Sequence, residues 1–498
     1  MVNFISKTPK EKPEYNFSFN ISHLLQANFG SFIAYKKNKV GFTISGLANY
    51  QKPFDVDKDD FTELPKALDF TIHPKLFLYL NANNTLVVGN SYTNSDRIGG
   101  DIKVIKYQAD TNHVYFEKNN THRNISTIDF THVFKNDNKL IIKNSFSYFN
   151  RKIEIPNYGF QGKSFNNYFD ISYFHKKNKH TIVAGLNNNT DIFKEANNFR
   201  DFQTHTTGIF AQHTFDISKK IILESGLRAD IVHYSNQNYK KTEFFVLPKF
   251  SVLFIINTHW SSRIGGGLGY KSPTLFTEET ETLQYQNIDA LNNVKSERSY
   301  GATADMTYKT AIGKKVFFAI NNLFFYTNIQ HASILQNDGI GNLHFINSAK
   351  PVNSLGIESN MKWIFFENLK FFSGYTFTYA KAKYLEGNQF IRLLPKHKLN
   401  LTLIYEKENN FKIGIEAYYS SKQLLSNGSS TPNFWELGFM AQKTFGIVSV
   451  YINAENFTDT RQSRYKNVVN GSHTNPNFDE IWTHTEGFVI SGGLKIKL

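Results

Sequence analysis

The stretch Phe411-Lys412-Ile413-Gly414-Ile415-Glu416-Ala417-Tyr418-Tyr419-Ser420 sets Phe411, Ile413, Ile415, Ala417 and Tyr419 against Lys412, Gly414, Glu416, Tyr418 and Ser420. Successive strand side chains point to opposite faces, so this alternation writes a strand with one apolar and one polar face. The same pattern sets Tyr15, Phe17, Phe19 and Ile21 against Asn16, Ser18, Asn20 and Ser22, and Val448, Val450, Ile452 and Ala454 against Ser449, Tyr451, Asn453 and Glu455. It recurs from end to end, and sustained helical periodicity is absent.

The connections between such segments are of two kinds that take turns. Short, polar and often basic ones lie at Lys36–Lys39, Asn81–Asn84, Asn136–Asn138, Lys176–Asn178, Ser218–Lys220, Gly313–Lys315, Glu367–Asn368 and Glu408–Asn410. Long, irregular ones are predicted at Tyr50–Ala67, Asn94–Asn120, Leu275–Ser296, His331–Leu343 and Ser463–Ile481. Short turns on one rim and long loops on the other fit an all-β, transmembrane antiparallel up-and-down β-barrel with its short rim in the periplasm. Soluble sandwiches and propellers give no reason for so regular an alternation. Counting through the turns gives about 22 strands, an even number that puts both chain ends on the periplasmic side.

Composition agrees. The 498 residues include 47 Phe and 26 Tyr, yet only 40% are hydrophobic, and mean hydropathy is −0.40. A wall that alternates lipid-facing with lumen-facing residues needs aromatic and polar excess together. No run approaches the ~18–20 apolar residues of a membrane-spanning helix. There is no cysteine, which removes disulfides and thiolate metal sites. The net charge of +14 is read as solvated lysine-rich turns, with attraction to anionic lipid or an anionic ligand as the alternative; no clustered basic motif of the nucleic-acid-binding kind is present, so no nucleic-acid partner is expected. Met1–Pro9 has neither an apolar h-region nor a small-residue cleavage site, so the export signal is read as removed or missing.

Several segments resemble the barrel portion of TonB-dependent outer-membrane receptors. Gly226-Leu227-Arg228-Ala229-Asp230 followed by Leu247-Pro248-Lys249-Phe250-Ser251 is similar to a mid-barrel motif of that family. The glycine-rich run Arg263–Tyr270 leading into Lys271-Ser272-Pro273-Thr274-Leu275-Phe276 resembles a second. Asn453-Ala454-Glu455-Asn456-Phe457-Thr458-Asp459-Thr460-Arg461-Gln462 resembles a third. The final strand, ending Gly492-Gly493-Leu494-Lys495-Ile496-Lys497-Leu498, resembles the family's assembly signal but ends in Leu instead of an aromatic. Residues 1–12, with Val2–Pro9 at their centre, look like the last strand of the family's plug domain and a linker, and residues 13–498 like its barrel. The remainder of the plug and the TonB-contacting box are not in this sequence.

The resemblance implies a bacterial outer-membrane, multi-pass receptor for energy-coupled uptake of a scarce nutrient, with an iron–siderophore complex as the leading cargo. The implied partners are outer-membrane lipid and lipopolysaccharide around the wall, the plug and the TonB energy-coupling complex, and a ferric siderophore. The alternative is a passive, plugless porin-like pore, although general porins have fewer strands, about 16–18. No enzyme motif is legible and no cofactor is implied. Gly265-Gly266-Gly267 lacks the Gly-Lys-Ser/Thr ending and following helix of a phosphate loop, and is read as strand glycines at a crowded wall. Ligand contacts are expected from Tyr107, His113, Tyr158, His331 and His344, in or beside the outer loops, where imidazole and phenol groups hydrogen-bond and stack. Asp55, Asp57 and Asp59 alternate as hard-cation ligands do, which makes them a calcium candidate. The loop nevertheless carries Asp60 and Lys66 where the calcium-loop pattern has Gly and Glu.

Overall fold

A computed structural model of the chain describes residues 6–498. Twenty-two strands form one closed sheet in which each strand pairs antiparallel with its neighbour in sequence order. The first strand, Glu14–Ser22, closes the ring on the last, Val489–Lys497, with Phe19 opposite Leu494. The expected count therefore stands, and both ends of the wall lie on the rim of short turns. The plug-like reading of Val2–Pro9 falls on Val2–Ile5 outside the described residues. Ser6–Pro13 runs without strand pairing along the inside of the wall, where the Lys75 ammonium donates to Ser6 Oγ at 2.9 Å.

Cross-strand partners share a face, and the apolar face points outward. Phe70, Ile128, Leu227, Phe250, Leu355 and Leu403 are all exposed on it. Such a continuous apolar belt is stable only against lipid. The inward face carries polar networks. Arg228 donates to Asp230 at 2.8 Å and to Asn187 at 2.9 Å, and the Tyr270 hydroxyl donates to Asp230 at 2.9 Å. The residues Gly226–Asp230 thus place Leu227 in lipid and Arg228 and Asp230 in the lumen. The glycine run is explained by crowding: a Cβ on Gly265 would stand 2.9 Å from the Phe250 carbonyl, and one on Gly266 2.8 Å from that of Gly301.

Strand lengths correct one expected boundary. Asn84–Gly100, Phe116–Val133, Lys139–Ile155 and Tyr158–Lys177 have 17, 18, 17 and 20 residues, where about 9–11 cross the hydrocarbon. The surplus stands above the membrane. Its outward positions, Asn94, Asp96, Asn120 and His122, are polar because they face water. That polarity is why Asn94–Asn120 reads as a loop, although only residues 101–115 are one. The loops also hold structure of their own: a hairpin of Ser333–Asn337 with Leu343–Asn347, and another of Val469–Ser472 with Asn475–Phe478.

Candidate functional site

The outer mouth carries two separate assemblies. The first is the loop of residues 272–296, between strands Trp260–Lys271 and Glu297–Ile312, which folds inward. Leu275, Tyr285, Ile288, Leu291 and Val294 pack on Phe160, Phe193, Phe202 and Tyr234, which face inward from four strands. Its far end reaches Phe116–Val133 and Lys139–Ile155, where Gln284 donates to Glu117 at 2.9 Å and Arg151 to Glu281 at 2.6 Å. Six strands of 22 lie between Phe116–Val133 and the loop's root at Trp260–Lys271, so the loop bridges about a third of the circumference. A buried ion pair pins it: Arg200 makes a two-pronged contact with Glu195 at 2.9 and 2.5 Å and donates to the Tyr285 carbonyl at 2.6 Å. Burial works against the Arg200 charge, and Glu195 more than offsets it.

The second assembly joins three loops near the barrel's closure. The Asp101 carboxylate, 0% exposed, accepts N–H bonds at 2.7 Å from both His113 Nδ1 and His473 Nδ1. Phe61 stacks on His473 with centroids 4.9 Å apart. Burial alone would raise the Asp101 carboxyl, but the two imidazoles and the Lys103 N–H hold it below its ordinary value. The trio has the residue types of a metal site, yet its geometry is that of a hydrogen-bonded latch. Donor separations of 2.7 Å fall short of the roughly 3.3 Å between ligands of a tetrahedral ion. The Lys103 ammonium, donating to His113 Nε2 at 2.9 Å, adds a cation where a second would be repelled.

Beside the latch, Asp55, Asp57, Asp59 and Glu63 each bring a carboxylate oxygen within 4.8 Å of the others. The loop curls on itself through the Phe54–Leu64 bridge, which returns Glu63 to the three aspartates. Backbone N–H groups of Lys58 and Asp60 donate to Asp55, and that of Val56 to Glu63. Asp57 Oδ1 and Asp59 Oδ2 are buried without a partner. Burial, reinforced by the neighbouring carboxylates, pushes Glu63 up to about 8 and Asp59 up to about 6. The donor set is all oxygen and anionic, the chemistry of a hard cation.

Further round the lumen lies a cavity of about 440 Å³ lined by Glu416, Tyr418, Glu436, Glu455, His484 and Glu486. Hydrogen bonds to Glu436 and Glu486 push the His484 imidazolium up to about 10.

Of the five expected ligand-contacting residues, two sit in these assemblies. His113 is in the latch, and Tyr158 is half-buried against the inward loop beside Arg200. Tyr107 is 89% exposed at a loop tip, His331 is exposed and His344 half-buried. No side-chain hydrogen bond or ring contact joins any two of the five among the described residues. Sequence reasoning missed Asp101, His473, Glu63, Arg200 and the inward loop. The loop alone left a signal, an aliphatic-aromatic run in an otherwise polar connection.

A lipid-belted wall, a polar lumen and a loop-covered outer mouth define an integral barrel of the bacterial outer membrane. The chain belongs to the TonB-dependent receptor family: the profile described as TonB dependent receptor-like, beta-barrel, matches residues 15–457. No curated protein matches the sequence. Solved structures share the fold at low identity. The FrpB iron transporter from Neisseria meningitidis aligns with TM-score 0.76 and 14% identity over 99% of this chain and 83% of its own. The copper transporter OprC aligns with TM-score 0.78 and 10% identity over 99% and 81%. The ferripyoverdine receptor of the Pseudomonas aeruginosa outer membrane, solved with ferripyoverdine bound, gives 0.77 and 12% over 99% and 72%. The family and these neighbours are receptors and transporters, and a porin-like pore is not favoured.

Proposed function

We propose that the chain forms the wall and ligand-gathering mouth of a receptor for TonB-dependent uptake of an iron–siderophore complex. The observation that carries this reading is the outer mouth itself, where loops rich in Tyr and His cover a 22-stranded lumen in a member of this family. A ferric chelate presents polar oxygen atoms and, in catecholates, aromatic rings, which phenol and imidazole groups meet by hydrogen bonding and stacking. Tyr107, His331 and His344 are the proposed first contacts; His113 and Tyr158 hold the loops that present them. The carboxylate box of Asp55, Asp57, Asp59 and Glu63 is the proposed place of a loop-stiffening calcium ion.

The test is a tryptophan-fluorescence titration of the refolded receptor with ferric hydroxamate, ferric catecholate, cobalamin and haem. Saturable quenching by a ferric chelate, weakened by Tyr107→Ala or His344→Ala, is the expected result. Binding of cobalamin or haem, with no response to either ferric chelate, overturns the cargo assignment.

A further inference from the structure

Ten short connections form one rim, at residues 38–39, 80–83, 134–138, 178–179, 217–220, 256–259, 313–315, 366–368, 408–410 and 446–447. Taken with two residues on either side, they hold fifteen Lys, no Arg and five carboxylates, a net +10 of the chain's +14. The eleven connections of the opposite rim, taken in the same way, sum to −1. Most of the excess charge in this protein therefore lies at one end. Those turns also expose apolar residues: Leu80, Phe134, Ile217, Ile256, Phe366 and Ile447 are between 39% and 61% exposed, each inside a turn. The Lys315 ammonium lies 5.5 Å from the Phe366 ring centroid.

We propose that this rim binds anionic phospholipid headgroups of the periplasmic leaflet. The inference rests on the family orientation, short turns in the periplasm, and is independent of the cargo. A ring of ammonium groups on flexible stems, set among exposed apolar side chains, matches the boundary where acyl chains meet phosphate: stems and rings lie in the apolar layer while charges reach the phosphates. An acidic soluble partner would satisfy the charges but leave the apolar turn residues without a place. Lysine in preference to arginine throughout the rim fits mobile point-charge contacts instead of a fixed two-pronged pocket.

The experiment places the refolded receptor, with Trp363, Trp435 and Trp482 replaced by Phe, in phosphatidylcholine nanodiscs containing 30 mol% phosphatidylglycerol and measures energy transfer from rim residue Trp260 to labelled lipid. Labelled phosphatidylglycerol is expected to be enriched at least twofold over labelled phosphatidylcholine, with the enrichment falling as salt is raised. In the variant Lys37→Gln, Lys39→Gln, Lys177→Gln, Lys179→Gln, Lys219→Gln, Lys220→Gln it should fall by half or more. An outer-loop control, Lys381→Gln, Lys383→Gln, Lys396→Gln, Lys422→Gln, should keep it. Equal transfer from both lipids overturns the proposal, and so does enrichment that follows the outer-loop lysines. If the six-lysine variant does not fold, the lipid comparison and salt series on the native chain decide alone.

Discussion

Replacing Arg200 by alanine should release the inward loop while leaving the barrel intact. The Arg200 and Glu195 side chains are 8% and 4% exposed, so deleting the guanidinium strands a carboxylate in a place with little water. It also removes the donor to the Tyr285 carbonyl at 2.6 Å. Breaking a buried pair from one side costs about 3–5 kcal/mol, mostly the uncompensated charge. Opening the loop lets water reach Glu195, so most of that cost is converted into loop opening. At the lower bound, about 3 kcal/mol, the opening equilibrium rises roughly 150-fold. Hydrogen exchange read by mass spectrometry should show this increase across residues 275–294, with strands Ile221–Asn236 and Glu297–Ile312 unchanged. The double variant Glu195→Leu, Arg200→Met removes both charges and keeps volume. It should restore much of the protection, because an apolar pair of similar size is often no worse than the ion pair. Exchange in 275–294 that rises less than about threefold in Arg200→Ala refutes the idea that this pair pins the loop, since at least tenfold is required by even 1.4 kcal/mol.

Calcium binding to the carboxylate box should release close to one proton at pH 7, because a group at about 8 is then roughly nine-tenths protonated; calorimetry in two buffers of different ionisation enthalpy measures it, and heats independent of the buffer contradict it. The sign for stability is the reverse of the usual carboxylate. The folded Glu63 keeps its proton to higher pH than the unfolded chain does, so without calcium the loop should loosen as pH rises through about 8. His484 should stay protonated in NMR titration to about pH 10, and Glu436→Gln should bring it down; an ordinary imidazole midpoint in the native chain would sink the assignment. Asp101→Asn should raise proteolytic nicking in residues 106–113 and 465–475 together, because one carboxylate serves both loops. Leu227→Arg, on the lipid face at 55% exposure, should destabilise the folded barrel by about 2–4 kcal/mol in urea titration from lipid vesicles, whereas Ser251→Arg on the lumen face should cost far less.

How far the structure could be read ahead depended on the range of the interactions. The wall was legible because its rule is local: each strand sorts its own side chains between lipid and lumen, as Phe411–Ser420 does in ten residues. The rule lapses where a strand leaves the membrane, and Asn94 and Asp96 are lost to it there. The mouth obeys no local rule. Gln284 finds Glu117 across 167 residues and His473 finds Asp101 across 372. Three members of the carboxylate box are neighbours in sequence and were legible, and the fourth, Glu63, arrives only when the loop bends back on itself.

That division bears on what decides cargo. Proteins described as transporting iron and copper, and one that holds ferripyoverdine, share this wall at 10–14% identity, so the wall answers to the bilayer and places few demands on the ligand. On the proposed function, ligand recognition falls to the segments that answer to neither lipid nor periplasm, the outer loops. Here those loops fall into two assemblies with different restraints. One rests on an aromatic core and a single buried ion pair, and the other on hydrogen bonds to one carboxylate and the partial burial of four more. On the proposed reading, a ligand that enters the lumen on the side the inward loop bridges displaces that loop. The latch lies at the closure of the barrel and can stay shut while this happens. On that reading the Arg200 pair is one of the restraints such binding works against, with the aromatic core and the Gln284–Glu117 and Arg151–Glu281 contacts.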